Sequence, residues 1–252
     1  MNNIIKQLLN RKSVRNFTGE SVKDEDLKLI FEAAQRCPTS INGQQIFLVY
    51  TKDKEKIKEI AKLCRGQKQI ETADVFVTIV IDFNRTSYAI ESLGKEQVIE
   101  KSAEGIVVGA VDAGIMLSSL QTAAESLGYG TTAIGAVRCE PDMFIKILDL
   151  PKKTYPLLGT TIGVAKQFVI DAPLKPRVPL ESFVFEDKYD SLKVKKGVNE
   201  YENTLKNFRK ENGMEYKTSY KEDIASFYEN YYMPKVKESF EKQGFRFKDK
   251  KK

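Results

Sequence analysis

The chain contains no histidine, although it is 252 residues long. That absence excludes catalysis by Ser-His or Cys-His pairs, histidine acid-base catalysis and histidine metal sites. Cysteines are too few and too dispersed for a disulfide framework or a zinc site, because Cys37, Cys64 and Cys139 form no Cys-x-x-Cys pair. An enzyme of this composition would therefore depend on a bound cofactor for its chemistry.

Targeting signals and long apolar runs are also missing. Residues 1–10 have no continuous apolar core followed by a cleavage site, so we expect no signal peptide. The most apolar stretch, residues 105–117, contains Asp112 and is too short to span a bilayer, so we expect no membrane segment. With 30% charged and 41% hydrophobic residues, the composition indicates a globular, cytoplasmic protein.

Positive charge is concentrated near the C-terminus. There are 25 basic and 25 acidic residues up to Asp190, but 16 basic and 10 acidic ones from Ser191 onward, together with 11 of the 25 Phe and Tyr residues. We expect a Lys-rich helical surface whose aromatic residues pack on their own core or on a partner subunit. Attraction of anionic ligands is the alternative. Nucleic-acid binding is disfavoured, because acids such as Glu222 and Glu229 interrupt the basic residues.

Hydrophobic periodicity predicts alternating helices and strands. Helices are predicted over residues 2–9, 55–63, 101–127 and 141–148, with another opened by Ser21 and ended by Pro38. Strands are predicted over residues 47–50, 75–81, 131–137 and 155–165. Prolines then extend the chain, and two charged helices are predicted near residues 199–210 and 221–242. We expect one domain over residues 1–190, with residues 191–252 as its helical extension.

Two cationic segments are candidate anion sites. Residues 11–15, Arg-Lys-Ser-Val-Arg, place two guanidinium groups and a hydroxyl on one face if they are extended. Lys175 and Arg177 stand at strand spacing beside two prolines that fix the backbone. Guanidinium groups bind phosphate through paired hydrogen bonds, so both segments suit an anion. A solvated basic turn is the alternative for the first segment.

Three further segments suit a flat ligand. Residues 128–136 have the wrong glycine spacing and order for a Rossmann motif, but Gly135-Ala136 lets backbone N–H groups approach a ring. A plain strand with small packing residues is the alternative there. Residues 66–69 and 39–44 carry amide and hydroxyl side chains that suit a ring edge, or they form ordinary loops.

Together these segments resemble the nitroreductase superfamily, in its NADPH-flavin oxidoreductase and oxygen-insensitive nitroreductase branch. The resemblance runs from about Leu8 to Pro179 and rests on the order and spacing of several motifs. Those motifs are residues 11–15 with Phe17-Thr18, then residues 66–68, 82–85, 111–113, 123–128, 134–135 and 174–177.

The resemblance implies a fold and an activity. The fold would be α+β, with a central mixed β-sheet flanked by helices and a C-terminal helical excursion that wraps the partner of a homodimer, FMN lying at the interface. The activity would be hydride transfer from NADPH or NADH to flavin N5, and then from the flavin to free flavin, nitroaromatics or quinones. We expect no nucleic-acid or membrane partner. The alternatives are another flavin chemistry of the superfamily, such as reductive dehalogenation, and an FMN-holding protein without turnover.

The resemblance also implies site residues but no catalytic side chain, since the chemistry occurs on FMN and Arg15 only supports the reduced flavin. The implied FMN contacts are Arg11, Lys12, Ser13, Arg15, Thr39, Gln44, Gln67, Ile134, Gly135, Ala136, Lys175 and Arg177. Lys175 and Arg177 would clamp the phosphate, and Arg209, Lys210 and Lys217 are candidates for the 2′-phosphate of NADPH. Arg11, Thr39 and Ala136 depart from the His, Ser and Gly common at those positions.

Overall fold

The computed structural model describes residues 1–249. The α-helices are α1 Asn3–Leu9, α2 Asp24–Gln35, α3 Lys54–Leu63, α4 Lys68–Glu71, α5 Asn84–Glu91, α6 Ala103–Ser126, α7 Pro141–Ile147, α8 Gln167–Ile170, α9 Ser191–Glu211, α10 Tyr220–Tyr228 and α11 Val236–Lys242. The strands are β1 Ile46–Thr51, β2 Val75–Asp82, β3 Gly130–Ile134 and β4 Thr154–Gly163. Short 3₁₀-helices cover Ser40–Asn42, Ile99–Lys101, Gly135–Cys139 and Leu180–Ser182.

The described chain forms two compact units. The first unit comprises Met1–Ala172 and the returning segment from Lys235, and the second unit is Pro173–Pro234. These boundaries differ from the division expected after Asp190. The reason is that α11 rejoins the first unit, where Phe240 stacks on Tyr155 of β4 with ring centroids 3.6 Å apart.

The sheet of the first unit has the strand order β1-β2-β4-β3. All three pairings among the described strands are antiparallel, so the α+β class is confirmed while the expected mixed sheet is corrected. Strands β2 and β3 run in the same direction, but β4 lies between them and is antiparallel to both. Parallel strands are therefore never neighbours.

Helix α6 packs across this sheet, as its small residues predict. Gly109 lies so close to Ile81 of β2 that an added Cβ would be 2.7 Å from the Ile81 Cδ1 atom. The helix is long and apolar enough to cross a membrane by length and composition, which corrects the expectation that this stretch is too short. Its buried Asp112 and Gln121 bond to Gln45 and Thr160 of the same unit, as in a core helix.

Three predicted element boundaries are corrected. Strand β3 ends at Ile134, where a strand to residue 137 was expected, because the chain turns into the 3₁₀-helix Gly135–Cys139. Helix α2 begins at Asp24 after Lys23, so Ser21 does not cap it. The helix expected over residues 221–242 is two helices, since Pro234 between them lacks the amide hydrogen that a helix interior needs.

Candidate functional site

The cationic segment, Arg11–Arg15, lies along β3. The Val14 amide donates to the Thr131 carbonyl at 2.8 Å, and the Thr132 hydroxyl donates to the Val14 carbonyl. Further along, the Thr18 amide donates to the carbonyl of Val164 at 2.9 Å. The sheet therefore fixes the course of the segment by backbone hydrogen bonds.

Two glycines allow this close approach. An added Cβ at Gly130 of β3 would lie 2.7 Å from a Val14 methyl, and one at Gly163 of β4 would lie 2.8 Å from the Phe17 ring. Val14 and Phe17 are buried against those positions, whereas Arg15 between them is exposed. Burial of its neighbours thus directs Arg15 outward.

The cations of this segment differ in what they contact. The Lys12 ammonium donates to the Ile170 carbonyl at 2.8 Å and to the Ala172 carbonyl at 2.5 Å. Arg15, by contrast, forms no hydrogen bond or ion pair with any residue that the structure describes. The Lys12 ammonium therefore links the cationic segment to residues 170–172, whereas the Arg15 guanidinium is available to bind a ligand.

Arg11 lies near a carboxylate that the sequence did not reveal. Burial raises the pKa of Glu125 near the end of α6, and the Thr131 hydroxyl, which donates at 2.7 Å, and the charge of Arg11 oppose that rise. Arg11 is thus next to a negative charge, in contrast to Arg15.

The backbone predicted to face the flavin edge lies where β3 meets the 3₁₀-helix Gly135–Cys139. The side chain of Ile134 is buried, and the Cβ position of Gly135 is 3.4 Å from a guanidinium nitrogen of Arg138. Arg138 donates to the Leu157 carbonyl at 2.5 Å, which fixes it beneath that turn. The sequence did not indicate this arginine.

Gln67 stands immediately before α4. Its side-chain oxygen accepts from the Gln69 side-chain amide at 2.6 Å, which leaves its own amide hydrogens available to donate elsewhere.

Thr39 and Gln44 line a groove of about 1460 Å³ in the first unit. Other lining residues include Phe31, Tyr50, Arg85 and Met116, but none of the cationic segment. Ser40 in this loop bonds to Asp112 of α6, whereas Arg11 lies near Glu125 of the same helix. At 1.5 Å rise per residue those α6 positions are about 20 Å apart. One chain therefore does not bring Thr39 and Gln44 to the cationic segment.

The second unit groups cations that the sequence separates. Burial lowers the pKa of Lys175, and the charges of Arg209, Arg177 and Lys217 lower it further, against the opposing charge of Asp223. The Lys175 ammonium forms no hydrogen bond or ion pair with the described residues, and the Arg177 guanidinium donates only to the Lys175 and Pro176 carbonyls. The two predicted phosphate ligands and two of the 2′-phosphate candidates thus form one positive cluster.

A stripe of α9 positions this cluster. The stripe consists of Gly197, Tyr201, Leu205 and Arg209, the buried residues of the helix. The Tyr201 hydroxyl donates to the Pro176 carbonyl at 3.3 Å, next to Lys175. Arg209 donates to Asp223 at 3.0 Å and to the Thr218 carbonyl, so it is engaged within the unit, whereas Lys210 and Lys217 are exposed.

Comparison with known proteins identifies the family. The model of the Nitroreductase family matches residues 8–164, and that of its C-terminal domain matches residues 175–248. The chain belongs to the nitroreductase family. It is 40% identical to an FMN reductase [NAD(P)H] of Bacillus subtilis (strain 168), over 98% of this chain and 99% of that protein.

Two further relatives extend the comparison. An oxygen-insensitive NADPH nitroreductase of Salmonella typhimurium is 33% identical, over 76% of this chain and 77% of that protein. The solved structure of NfrA2 from B. megaterium superimposes with a TM-score of 0.94 at 34% identity, covering 99% of this chain and 100% of the other. The nitroreductase fold expected from the motifs is therefore confirmed.

Proposed function

We propose that this nitroreductase-family chain is a cytoplasmic, FMN-dependent oxidoreductase that oxidises NADPH or NADH and reduces free flavin, nitroaromatic or quinone acceptors. Its class, an NAD(P)H-dependent flavin oxidoreductase, agrees with the family and with the relatives' names. Bound FMN would supply the hydride and electron transfer, which this chain's own side chains do not provide.

The positive cluster of the second unit carries this proposal. Arg177 donates to the Lys175 carbonyl at 3.0 Å, and the charges of Arg177 and Lys217 both lower the pKa of Lys175. The single acid that acts on Lys175 there, Asp223, is already bonded to Arg209. A bound phosphate would supply the missing negative charge and would relieve the mutual repulsion. The donor set thus fits the phosphate end of FMN.

Residues of the first unit fit the ring end. Arg15, exposed and unpaired among the described residues, would place its positive charge beside the pyrimidine edge, where reduction adds negative charge. Gln67 has free amide hydrogens for a ring oxygen, and the backbone of Gly135 has no side chain to keep a flat ligand away. These residues would bind and orient the flavin ring, and none of them would transfer a proton.

A homodimer would complete the site. Thr39 and Gln44 lie about 20 Å along α6 from the cationic segment, so the two sets would meet one ligand only if different subunits supply them. Apolar side chains available for such an interface are exposed on α1, which has no buried residue: Ile4, Ile5, Leu8 and Leu9. A second copy of the chain would cover them.

An anaerobic titration tests the activity. The purified chain, loaded with FMN, should lose the absorption of oxidised flavin when NADPH or NADH is added, and should regain it when a nitroaromatic or a quinone follows. If neither nucleotide bleaches the bound flavin, the chain is an FMN-holding protein without turnover. A chain that binds no FMN would contradict the proposal.

The dimer has its own test. Size-exclusion chromatography with light scattering should give twice the chain mass of 28.6 kDa. A monomer that still binds FMN would rule out the shared site.

A further inference from the structure

The loop formed by residues 39–45 is held in an unfavourable backbone conformation. Ile41, Asn42 and Gln44 have φ angles of 49°, 55° and 50°. This left-handed region suits glycine and tolerates asparagine, but it is costly for a β-branched residue such as isoleucine. The Ile41 side chain is 95% exposed, so its own packing does not offset the cost. Something outside the loop must hold this conformation.

Asp112 of α6 provides that restraint. Its carboxylate accepts from the Ser40 amide at 3.3 Å and from the Gln45 side-chain amide at 2.6 Å, so it bonds on both sides of the strained residues. Gly43 leaves room for the Gln45 amide, because an added Cβ there would lie 2.2 Å from the Gln45 side-chain oxygen.

Stability alone does not account for an aspartate at this position. Asp112 is 2% exposed, and burial raises the pKa of its carboxyl group against the hydrogen bond from the Ser40 amide. A buried carboxylate without a cationic partner loses its hydration, whereas an apolar side chain there would not. Both the strain and the buried charge are costs concentrated on one loop, as at functional sites.

We propose that Asp112 is a positioning residue, which holds the 39–45 loop in the conformation that presents Thr39 and Gln44 to the flavin. The inference rests on the proposed FMN-dependent function. The Thr39 hydroxyl accepts from the Gln44 amide at 3.1 Å, so its own hydrogen is left to donate to a ligand. Without Asp112 the loop would relax, and both side chains would leave their positions.

Asp112→Asn weakens the restraint with little change in shape. Its amide group either faces the Gln45 amide, donor against donor, or turns so that one neutral oxygen accepts from both the Gln45 and the Ser40 amides. We expect the FMN dissociation constant to rise about ten-fold, since the charged acceptor of these hydrogen bonds is lost. With FMN at saturation, kcat should stay within about two-fold of wild type, because the reacting groups are not altered.

The double variant Asp112→Asn with Gln45→Glu should restore binding. The introduced asparagine would then accept from the Ser40 amide and donate to the new carboxylate, so both restraints return with the polarity of one reversed. Asp74→Asn is the matched control, because Asp74 is also buried and bonds to the Val22 amide and Lys54 away from this loop. It should lower the melting temperature and leave FMN affinity unchanged.

Wild-type affinity in folded Asp112→Asn would overturn the inference. Equal losses of FMN affinity in Asp112→Asn and Asp74→Asn would also overturn it, because they would indicate general destabilisation. A double variant that melts like wild type but binds FMN no better than Asp112→Asn would overturn it as well. Failure of the wild-type chain to bind FMN would overturn the proposed function, and with it the role given to the loop.

Discussion

The two units bury their side chains to different extents. In the first unit, β2 is buried from Val75 to Ile81, and aromatic rings from β4 and α11 stack in the same core. In the second unit, fully buried residues of the described helices are confined to one stripe of α9, while Phe183, Tyr189 and Tyr231 are 72%, 73% and 94% exposed. The first unit completes its own core, and the second does not.

This difference in side-chain burial corresponds to two proposed binding roles. A sheet covered by helices holds Arg15 and Gly135 in fixed positions, as binding the flavin ring requires. The second unit groups cations around a short extended segment and exposes aromatic residues, as expected of a small unit that depends on a partner for burial. Under the proposed function, the first unit supplies residues suited to a flavin ring, and the second unit supplies cations suited to a phosphate.

The largest effect should come from removing the phosphate ligands. Lys175→Gln with Arg177→Gln should weaken FMN binding about a hundred-fold, because two charge-assisted hydrogen bonds are lost. Riboflavin has the same ring without the phosphate, so its affinity should not change. Fluorescence titration with both flavins measures the two effects.

Arg15→Gln in the first unit is the contrasting variant. It should weaken FMN and riboflavin alike, by about ten-fold, since its contact is with the ring. Equal losses for the two flavins in the second-unit variant would contradict the division of tasks.

Gly197→Ala should destabilise the second unit selectively. The added Cβ would lie 2.2 Å from the Ser182 side-chain oxygen and 2.3 Å from its Cβ, so α9 must move away from the Leu180–Ser182 turn. We expect a loss of about 1–3 kcal/mol, typical of overpacking. Hydrogen exchange should accelerate in α9 and stay slow in β2. Asn203→Ala on the exposed side of α9 is the control, and faster exchange throughout both units would show that they unfold together.

The phosphate contribution should fall with increasing pH. The pKa of Lys175 lies below the ordinary value of 10.5, so the ammonium loses its charge at a lower pH than a free lysine does. Above that lowered pKa the ratio of FMN to riboflavin affinity should fall by up to about ten-fold per pH unit until the lysine contribution is gone. Arginine keeps its charge, so Lys175→Arg should hold the ratio constant. A wild-type ratio independent of pH up to 10.5 would exclude Lys175 as a phosphate ligand.

The smallest effect should appear in the first unit. Ile41→Asn should stabilise the chain by about 1 kcal/mol, because asparagine tolerates the left-handed conformation better than a β-branched residue. Thermal unfolding of the apoprotein measures it, with Ile41→Val, which keeps the branch, as the unchanged control. A lower melting temperature for Ile41→Asn would mean that the loop is not strained.

Much of the fold was predictable from local patterns. The nearly continuous β-branched run of β2 and the small residues of α6 predict a buried strand and a closely packed helix, because these properties belong to neighbouring residues. The turn after Ile134 and the start of α2 were misplaced, since both depend on contacts with distant segments. The antiparallel sheet was missed for the same reason, because strand neighbours are set by the whole chain.

The candidate site was predictable in part. The residue types and spacing of the cationic segment and of Lys175 and Arg177 indicated anion binding, and the assignment of each residue to FMN stays a prediction. The motif at residues 111–113 contained Asp112 but indicated no role for it, and Tyr201 gave no signal. An aspartate in an apolar helix and a tyrosine in a charged one acquire their roles only from the Gln45 amide and the Pro176 carbonyl.

The sequence by itself excluded histidine chemistry, because no histidine is present, and it indicated that the cationic segments would attract an anion. Only the tertiary structure decided which cations are free. Lys12 and Arg209 bond to the Ile170 and Thr218 carbonyls, whereas Arg15 and Lys175 have no such partner among the described residues. A side chain is engaged or free according to which carbonyl and carboxylate groups the fold brings beside it, and those groups come from other parts of the chain.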